Sequence, residues 1–149
     1  MPEKETLERA EQDKREGKSP STQAGEFVRE EIHHIREGKH GAASAKQAIA
    51  IGLSKARRAG VDLAPPKKGR VSEKTRKAAA RDSSRGHSRK KKSVSARRSR
   101  SSEAALKREP RSAASHKALS RQAKSAARKR KKSGRVTQAR RTQSRRKAA

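Results

Sequence analysis

The chain has 149 residues, of which 44 are Lys or Arg and 15 are Asp or Glu, so its formal net charge is +29. Because only 28% of the residues are hydrophobic and 1% are aromatic, the chain cannot bury enough apolar surface to fold throughout as one ordinary domain. The lack of cysteine excludes a disulfide framework, a thiolate nucleophile and a cysteine-based zinc site. No apolar run reaches the ~18 residues of a membrane span, and residues 1–12 lack the apolar stretch of a secretory signal, so we expect a cytoplasmic protein.

The charge divides the chain into two unlike halves. Residues 1–63 have 12 basic and 11 acidic side chains, a net charge of +1, whereas residues 64–149 have 32 and 4, a net charge of +28. Beyond position 63 the large apolar residues are five isolated Val and Leu side chains, which are too few to make a core. We therefore predict a helical module followed by a disordered cationic segment, here called the basic tail (residues 64–149), with Pro65 and Pro66 at the boundary.

Two helices are predicted in the first 38 residues. Residues 3–16 favour a helix, but Leu7 is their only large apolar residue, so this helix is expected to be marginal. A second helix is predicted to begin with Ser21 or Thr22 as its cap and to stop at Gly38. Its apolar residues fall on one face, with Phe27 at the edge of that face: Ala24, Val28, Ile32 and Ile35.

The third predicted helix is the best-defined element of the sequence. Ser44 followed by Gln47 indicates a capping box at its start, and Gly60 with Val61 indicates its end. A strip of small residues at four-residue spacing would let a second backbone approach closely, which justifies a glycine in a helix interior: Ala48, Gly52 and Ala56.

Helices two and three are predicted to form an αα-hairpin over residues 21–63, here called the hairpin module, preceded by the marginal helix and a linker over residues 1–20. The predicted fold class is all-α: a small N-terminal helical hairpin module with a long, intrinsically disordered basic tail that has conditional helices. A module of ~40 residues usually needs a metal, a disulfide or a partner subunit. Since disulfides are excluded, the large apolar residues are expected to pack internally or to join two copies as a homodimer: Val28, Ile32, Ile35, Ile49, Ile51 and Leu53.

Two segments of the first half resemble a known family. Residues 22–41 (TQAGEFVREEIHHIREGKHG) and residues 46–63 (KQAIAIGLSKARRAGVDL) are similar to small, basic bacterial proteins catalogued as a domain of unknown function, which share the KQAIAIGLSKARRAG helix. This resemblance implies a bacterial, intracellular setting and assigns no site. The basic tail resembles histone H1-like tails in composition only.

One segment of the basic tail has a helical pattern. Five cations fall on one face of a helix, here called the cationic stripe: Lys117, Arg121, Lys124, Arg128 and Lys131. Charges stacked at i and i+4 repel one another in free solution, and phosphates would remove that repulsion, so the segment is predicted to fold on binding. The alternative is a solvated, Ala-rich stretch whose phase is a coincidence.

The other candidate phosphate contacts are in cation-rich runs of the basic tail: Lys90, Lys91, Lys92, Arg97, Arg98, Arg140 and Arg141. Gly69-Arg70 and Gly134-Arg135 form a faint repeat that is similar to AT-hook peptides, whose core is Arg-Gly-Arg-Pro, although Val replaces Pro here. We interpret Arg70 and Arg135 as phosphate or minor-groove contacts, with compositional coincidence as the alternative.

Three other classes of function are disfavoured. His33 and His34 point ~100° apart on one helix and cannot bind one ion together, and His33 with Glu37 gives only two ligands, so no metal site is predicted. The chain has almost no interior in which to hold acid–base groups, so we predict neither an enzyme nor a cofactor. A membrane-surface helix would need Trp, Phe or several Leu on its buried face, and Leu119 stands alone among alanines.

The sequence favours a non-enzymatic, sequence-tolerant nucleic-acid-binding protein of the nucleoid-associated or histone-like kind. Since the basic tail has no aromatic side chain on which bases could stack, duplex DNA is favoured over RNA, and structured RNA stays open. The alternative is an adaptor whose hairpin module binds a protein, or a basic protein of the ribosome, in which the basic tail only holds the molecule near its partner.

Overall fold

A computed structural model describes residues 2–88 and 95–147, with side chains described as far as residue 132. Its regular elements are six α-helices and one short 3-10 turn, Arg111–Ala114: α1 Lys4–Arg15, α2 Pro20–Glu37, α3 Ala45–Arg58, α4 Glu73–His87, α5 Ala96–Lys107 and α6 His116–Lys147. An isolated bridge joins Lys68 to Val71 in the turn before α4. The prediction of an all-α fold is confirmed for this part of the chain.

The ends of α2 and α3 follow from capping chemistry. Ser19 is the N-cap of α2, where its Oγ accepts a hydrogen bond from the Thr22 amide at 3.4 Å and Pro20 takes the first helical position. The prediction of Ser21 or Thr22 as the cap was therefore wrong by two or three residues, because Pro20 takes the first helical position and the cap is the residue before it. Gly38 ends α2 at φ +82°, as predicted.

The predicted capping box of α3 is confirmed. Ser44 Oγ accepts from the Gln47 amide at 3.2 Å, and Gln47 Oε1 in turn accepts from the Ala43 amide at 3.0 Å, one residue before the usual position. At the other end Gly60 has φ +95°, and the Val61 amide donates to the Ala56 carbonyl at 3.1 Å. This bond closes α3 and buries the Val61 side chain.

Helices α2 and α3 lie against each other along the predicted strip of small residues. Ala48, Gly52 and Ala56 are all buried. A Cβ placed on Gly52 would lie 2.7 Å from the Cα of Val28 and 2.9 Å from its amide nitrogen. The two backbones are thus in contact, which confirms the close approach expected from the spacing of small residues.

The core consists of two apolar clusters on either side of this crossing. The Ile35 cluster contains Ile32, Ile35, Ala42, Ala48, Ala113 and Ala114. The Phe27 cluster contains Ala10, Ala24, Phe27, Ala56 and Val61. Phe27 is 1% exposed, so the prediction that it lies at the edge of the apolar face was wrong: α1, through Ala10, covers the side of α2 that the hairpin alone would leave open.

Parts of the basic tail also belong to the core. Ala79 of α4 is buried, and so are Ala113 and Ala114 of the 3-10 turn. Backbone bonds join the α2–α3 loop to the tail, from the Gly41 amide to the Leu106 carbonyl and from the Ala42 amide to the Pro110 carbonyl. The prediction that residues 64–149 are a tail separate from the helical module was therefore wrong for these positions, because it counted only large apolar side chains while the tail contributes alanines. The described part of the basic tail also includes the helices α4, α5 and α6, so disorder of the tail in free solution stays a prediction.

The docking of α4 onto the end of α3 includes a histidine whose charge depends on pH. His87 Nδ1 lies 2.8 Å from the Ser83 carbonyl and Nε2 lies 2.6 Å from Asp62 Oδ1. The Ser83 carbonyl first, and Asp62 second, raise the pKa of His87 above 6.5. This contribution to stability is fully present below pH 6.5 and is lost as the pH rises through the raised pKa.

We expect an NMR titration of the His87 ring to give a pKa above 6.5 in the full-length protein. Asp62→Asn replaces the carboxylate by a neutral amide, which removes the negative charge that favours the charged ring and should move that pKa part of the way back. Asp13→Asn, which changes an acid that pairs with Lys18, is the charge-matched control and should leave His87 unchanged. An unaltered His87 pKa in Asp62→Asn would contradict this assignment.

Candidate nucleic-acid interface

Helix α6 is positioned by its first two turns. Ser115 caps it, since its Oγ accepts from the Ala118 amide at 3.2 Å and its carbonyl accepts from the Leu119 amide at 3.0 Å. Leu119 packs against the Ile35 cluster, and Gln122 and Ala126, on the same side of the helix, are half-buried. The start of α6 is therefore fixed to the hairpin module by its apolar side.

The cationic stripe lies on the opposite, solvent-exposed side of α6. All five of its members are exposed: Lys117, Arg121, Lys124, Arg128 and Lys131. The predicted phase is thus present in the structure, since the polar and apolar positions of this helix divide as the 3.6-residue period requires. The sequence of α6 contains no Asp or Glu, so no acid within the helix neutralises the stripe.

The charge density of α6 is close to that of a nucleic-acid backbone. Of its 32 residues, 14 are Lys or Arg, and a helix of that length spans ~48 Å at ~1.5 Å per residue. This gives one positive charge per ~3.4 Å of helix, which equals the axial spacing of phosphates along one strand of B-form DNA.

The remaining predicted contacts are divided among several elements. Arg70 is exposed in the turn before α4, next to Gly69 at φ +81°, and Arg97 and Arg98 are exposed on α5. Arg135, Arg140 and Arg141 lie further along α6. Arg135 follows Lys131 at a spacing of four residues and so continues the spacing of the cationic stripe. Lys90, Lys91 and Lys92 lie outside the described residues.

Several cations of the first half have acidic partners instead. Arg9 Nε lies 2.8 Å from Glu26 Oε2, and Lys39 Nζ lies 3.1 Å from Glu37 Oε2 and 3.2 Å from Glu3 Oε1. The pKa of Lys39 is raised by its bonds to Glu37 and then to Glu3. These pairs neutralise the hairpin side of the molecule, so its positive potential is concentrated on the tail helices.

Histidines and acids at the α2–α3 loop form a second polar site. His33 is exposed, and its Nε2 lies 2.9 Å from Glu37 Oε1. His34 and His40 are different, because each offers a ligand atom that lies within 4.8 Å of one from the buried Glu31 carboxylate and of one another. Sequence reasoning missed Glu31, and only the return of the loop after Gly38 brings His40 to it.

Residues 14–68 match the model of a family of unknown function, DUF6496. The predicted resemblance to a family of unknown function is thereby confirmed. The matched residues include α2, α3 and the end of α1 but stop before α4, so the cationic stripe lies outside them. No curated protein and no solved structure matches the chain significantly. In the part of the chain that the structure describes, no helix has the length and apolar character needed to cross a bilayer.

Proposed function

We propose that the protein is a non-enzymatic, sequence-tolerant nucleic-acid-binding protein that coats or bridges duplex DNA in the manner of nucleoid-associated, histone-like proteins. The observation that supports this most strongly is the exposed cationic stripe on a helix whose other side is packed against the hairpin module. Because the apolar side of α6 is packed against the hairpin module, the cationic stripe faces away from the module and is accessible to the phosphates of DNA.

The side-chain chemistry of the basic tail favours a double-stranded partner. Arginine outnumbers lysine there by 18 to 14, and guanidinium groups form bidentate contacts with phosphate and enter narrow minor grooves. Single-strand and sequence-specific RNA binding uses aromatic side chains for stacking. Phe27, the only aromatic residue of the chain, is buried in the Phe27 cluster and is not available to a base.

The hairpin module would then serve as the platform from which the tail helices extend. Ile49 and Ile51 of α3 are only half-buried, which keeps the homodimer and the protein-partner adaptor as competing roles for this module. Two cationic tails joined through a dimer would bridge two DNA segments with increased avidity. In the adaptor case the hairpin module acts through its protein partner and the basic tail is auxiliary.

The salt dependence of binding tests the proposed mechanism. If the cationic stripe alone contacts phosphates, log affinity should fall against log salt with a slope of about −4.5, and if a third of the tail cations do so the slope should be about −9. A fluorescence-anisotropy series on duplexes of unrelated sequence should give the same slope for each. A slope smaller than about 3 in magnitude would contradict phosphate neutralisation as the mechanism.

Crosslinking in cells, followed by sequencing, separates the two hypotheses and the two nucleic acids. Recovery of DNA spread over the chromosome supports the proposal. Predominant recovery of RNA would contradict duplex DNA as the partner and identify structured RNA as the partner. A chain shortened to residues 1–63 provides the comparison. If it still localises and acts as the full chain does, the adaptor hypothesis is correct and the DNA-coating function is wrong.

A further inference from the structure

Two carboxylates are buried side by side in α2 with only one ammonium group between them. The side chains of Glu30 and Glu31 are 1% and 0% exposed. Lys55 of α3 approaches both, with Nζ 3.2 Å from Glu30 Oε1 and 2.7 Å from Glu31 Oε2. Burying a charge is costly unless it is paired. With neutral histidines, this pair of carboxylates retains one negative charge that Lys55 does not balance.

The Glu31 carboxylate is also poorly supplied with hydrogen bonds. Both of its oxygens are buried, and neither accepts a well-aligned hydrogen bond from any residue that the structure describes, although Lys55 is in ion-pair contact. Buried carboxylate oxygens normally have such partners. An additional positive group next to Glu31 would remove this deficit.

The ring of His40 faces Glu31 with the wrong nitrogen for a hydrogen bond. Its Nδ1 lies 3.1 Å from the Gly41 carbonyl, which can only accept, so Nδ1 carries the proton in a neutral ring. Nε2 then has a lone pair and lies 3.3 Å from Glu31 Oε1, a second acceptor. Two acceptors at this distance require a cation between them or a second proton on the ring.

His34 is oriented in the same manner by another acceptor. Its Nε2 lies 2.8 Å from Glu3 Oε1, and a hydrogen bond donated to this carboxylate leaves Nδ1 with the lone pair. Nδ1 lies 4.0 Å from Glu30 Oε1. In proteins, metal-binding histidines usually donate their other ring N–H to a carboxylate or a backbone carbonyl. Both histidines have such a partner: Glu3 for His34, and the Gly41 carbonyl for His40.

We propose that Glu31, His34 and His40 bind a divalent transition-metal ion of the zinc class. Their ligand atoms lie within 4.8 Å of one another, whereas ligands of a tetrahedral zinc ion are ~3.3 Å apart, so small side-chain movements complete the site. Two imidazoles and one carboxylate are a common zinc ligand set, which leaves a fourth position for water. The ion would supply the positive charge that Glu30, Glu31 and Lys55 lack among themselves.

The proposed ion would connect two parts of the fold. Glu31 and His34 belong to α2, while His40 belongs to the loop whose Gly41 and Ala42 amides bond to the carbonyls of Leu106 and Pro110. Fixing His40 therefore fixes the loop on which the tail segment docks. A module of this size without disulfides is of the kind that a structural metal often stabilises. This role is independent of the proposed nucleic-acid binding.

Thermal unfolding of the full-length, untagged, chelator-treated protein with and without ZnCl₂ tests the proposal. At a hundredfold excess of zinc over its dissociation constant, the unfolding midpoint should rise by roughly 10 °C. His40→Gln should abolish the rise. His33→Gln, which changes an exposed histidine of α2 next to His34, is the matched control and should keep the whole rise.

Cobalt absorption provides a readout that does not depend on the stability of a variant. Co²⁺ added to the wild-type protein should give the intense visible bands of a tetrahedral site, and excess Zn²⁺ should remove them. Absence of both the bands and the thermal shift in the wild-type protein would overturn the proposal, since Glu31, His34 and His40 would then hold no metal ion. Equal losses in His33→Gln and His40→Gln would also overturn it, since adventitious surface binding has no preference for His40.

Discussion

Replacing Gly52 with alanine is expected to destabilise the hairpin module by about 2 kcal/mol, although alanine favours a helix by ~1 kcal/mol over glycine. The added Cβ would lie 2.7 Å from the Cα of Val28 and 3.0 Å from the Phe27 carbonyl oxygen. These are backbone atoms, which cannot rotate away as a side chain can, so α2 and α3 must separate. Overpacking of this kind costs up to ~3 kcal/mol, which exceeds the gain in helix propensity.

Gly25 is the matched control for this prediction. It lies inside α2, as Gly52 lies inside α3, but a Cβ placed there meets nothing within 4 Å. Gly25→Ala should therefore stabilise the protein by up to ~1 kcal/mol. Urea unfolding followed by far-UV circular dichroism measures both variants, with the midpoint moving down for Gly52→Ala and up for Gly25→Ala. A rise for both would show that α2 and α3 are not in backbone contact.

The surroundings of Gly52 show how much of the fold could be predicted from the sequence alone. The spacing of Ala48, Gly52 and Ala56 indicated a close helix pair, because four-residue periods of small residues have a direct geometric meaning. Local capping signals likewise placed the ends of α3 correctly, since Ser44 and Gly60 act through bonds within a few residues. Predictions that depend on neighbours along the chain were therefore reliable for α3, whereas the same kind of signal misplaced the start of α2, which is capped by Ser19.

Contacts between distant residues were not predictable in the same way. Phe27 was assigned to an edge because the sequence of α2 does not show that Ala10 of α1 covers it. Ala113 and Ala114 gave no signal, because two alanines in a polar segment are ordinary until Ile32 and Ile35 are found beside them. A Cβ on Gly41 would overlap the Glu109 carbonyl, and this contact also joins residues far apart in sequence.

The two candidate sites differ in the same way: one depends on neighbours along a single helix, and the other depends on contact between a helix and a loop. The cationic stripe was predicted from the period of one helix, and its exposure follows from Leu119 on the other side. The sequence argument against a metal site concerned His33 with His34, because histidines adjacent in sequence cannot share an ion from one helix, and it did not include Glu31. The loop after Gly38 removes that objection by bringing His40 to α2 from outside the helix.

Neutralising the cationic stripe is expected to weaken DNA binding by roughly 10⁴-fold at 0.1 M salt and to reduce the slope of log affinity against log salt by about 4.5. The variant replaces five exposed cations with glutamine: Lys117, Arg121, Lys124, Arg128 and Lys131. Glutamine has nearly the helix propensity of lysine and arginine, and its introduction removes the repulsion between charges at i and i+4. The circular-dichroism spectrum should therefore show α6 intact, so that lost binding cannot be attributed to lost structure.

The control for this prediction removes the same charge from another surface. Five exposed cations in and before α4 are replaced with glutamine there: Lys67, Lys68, Lys74, Lys77 and Arg81. If α6 presents the stripe to phosphates, this variant should keep most of the slope, because its cations are not aligned on the face that meets the backbone. Equal losses in both variants would mean that binding depends on net charge alone, since counterion release by an unstructured polycation does not distinguish one lysine from another. The stripe would then be a coincidence of phase, and the helix that presents it would have no part in recognition.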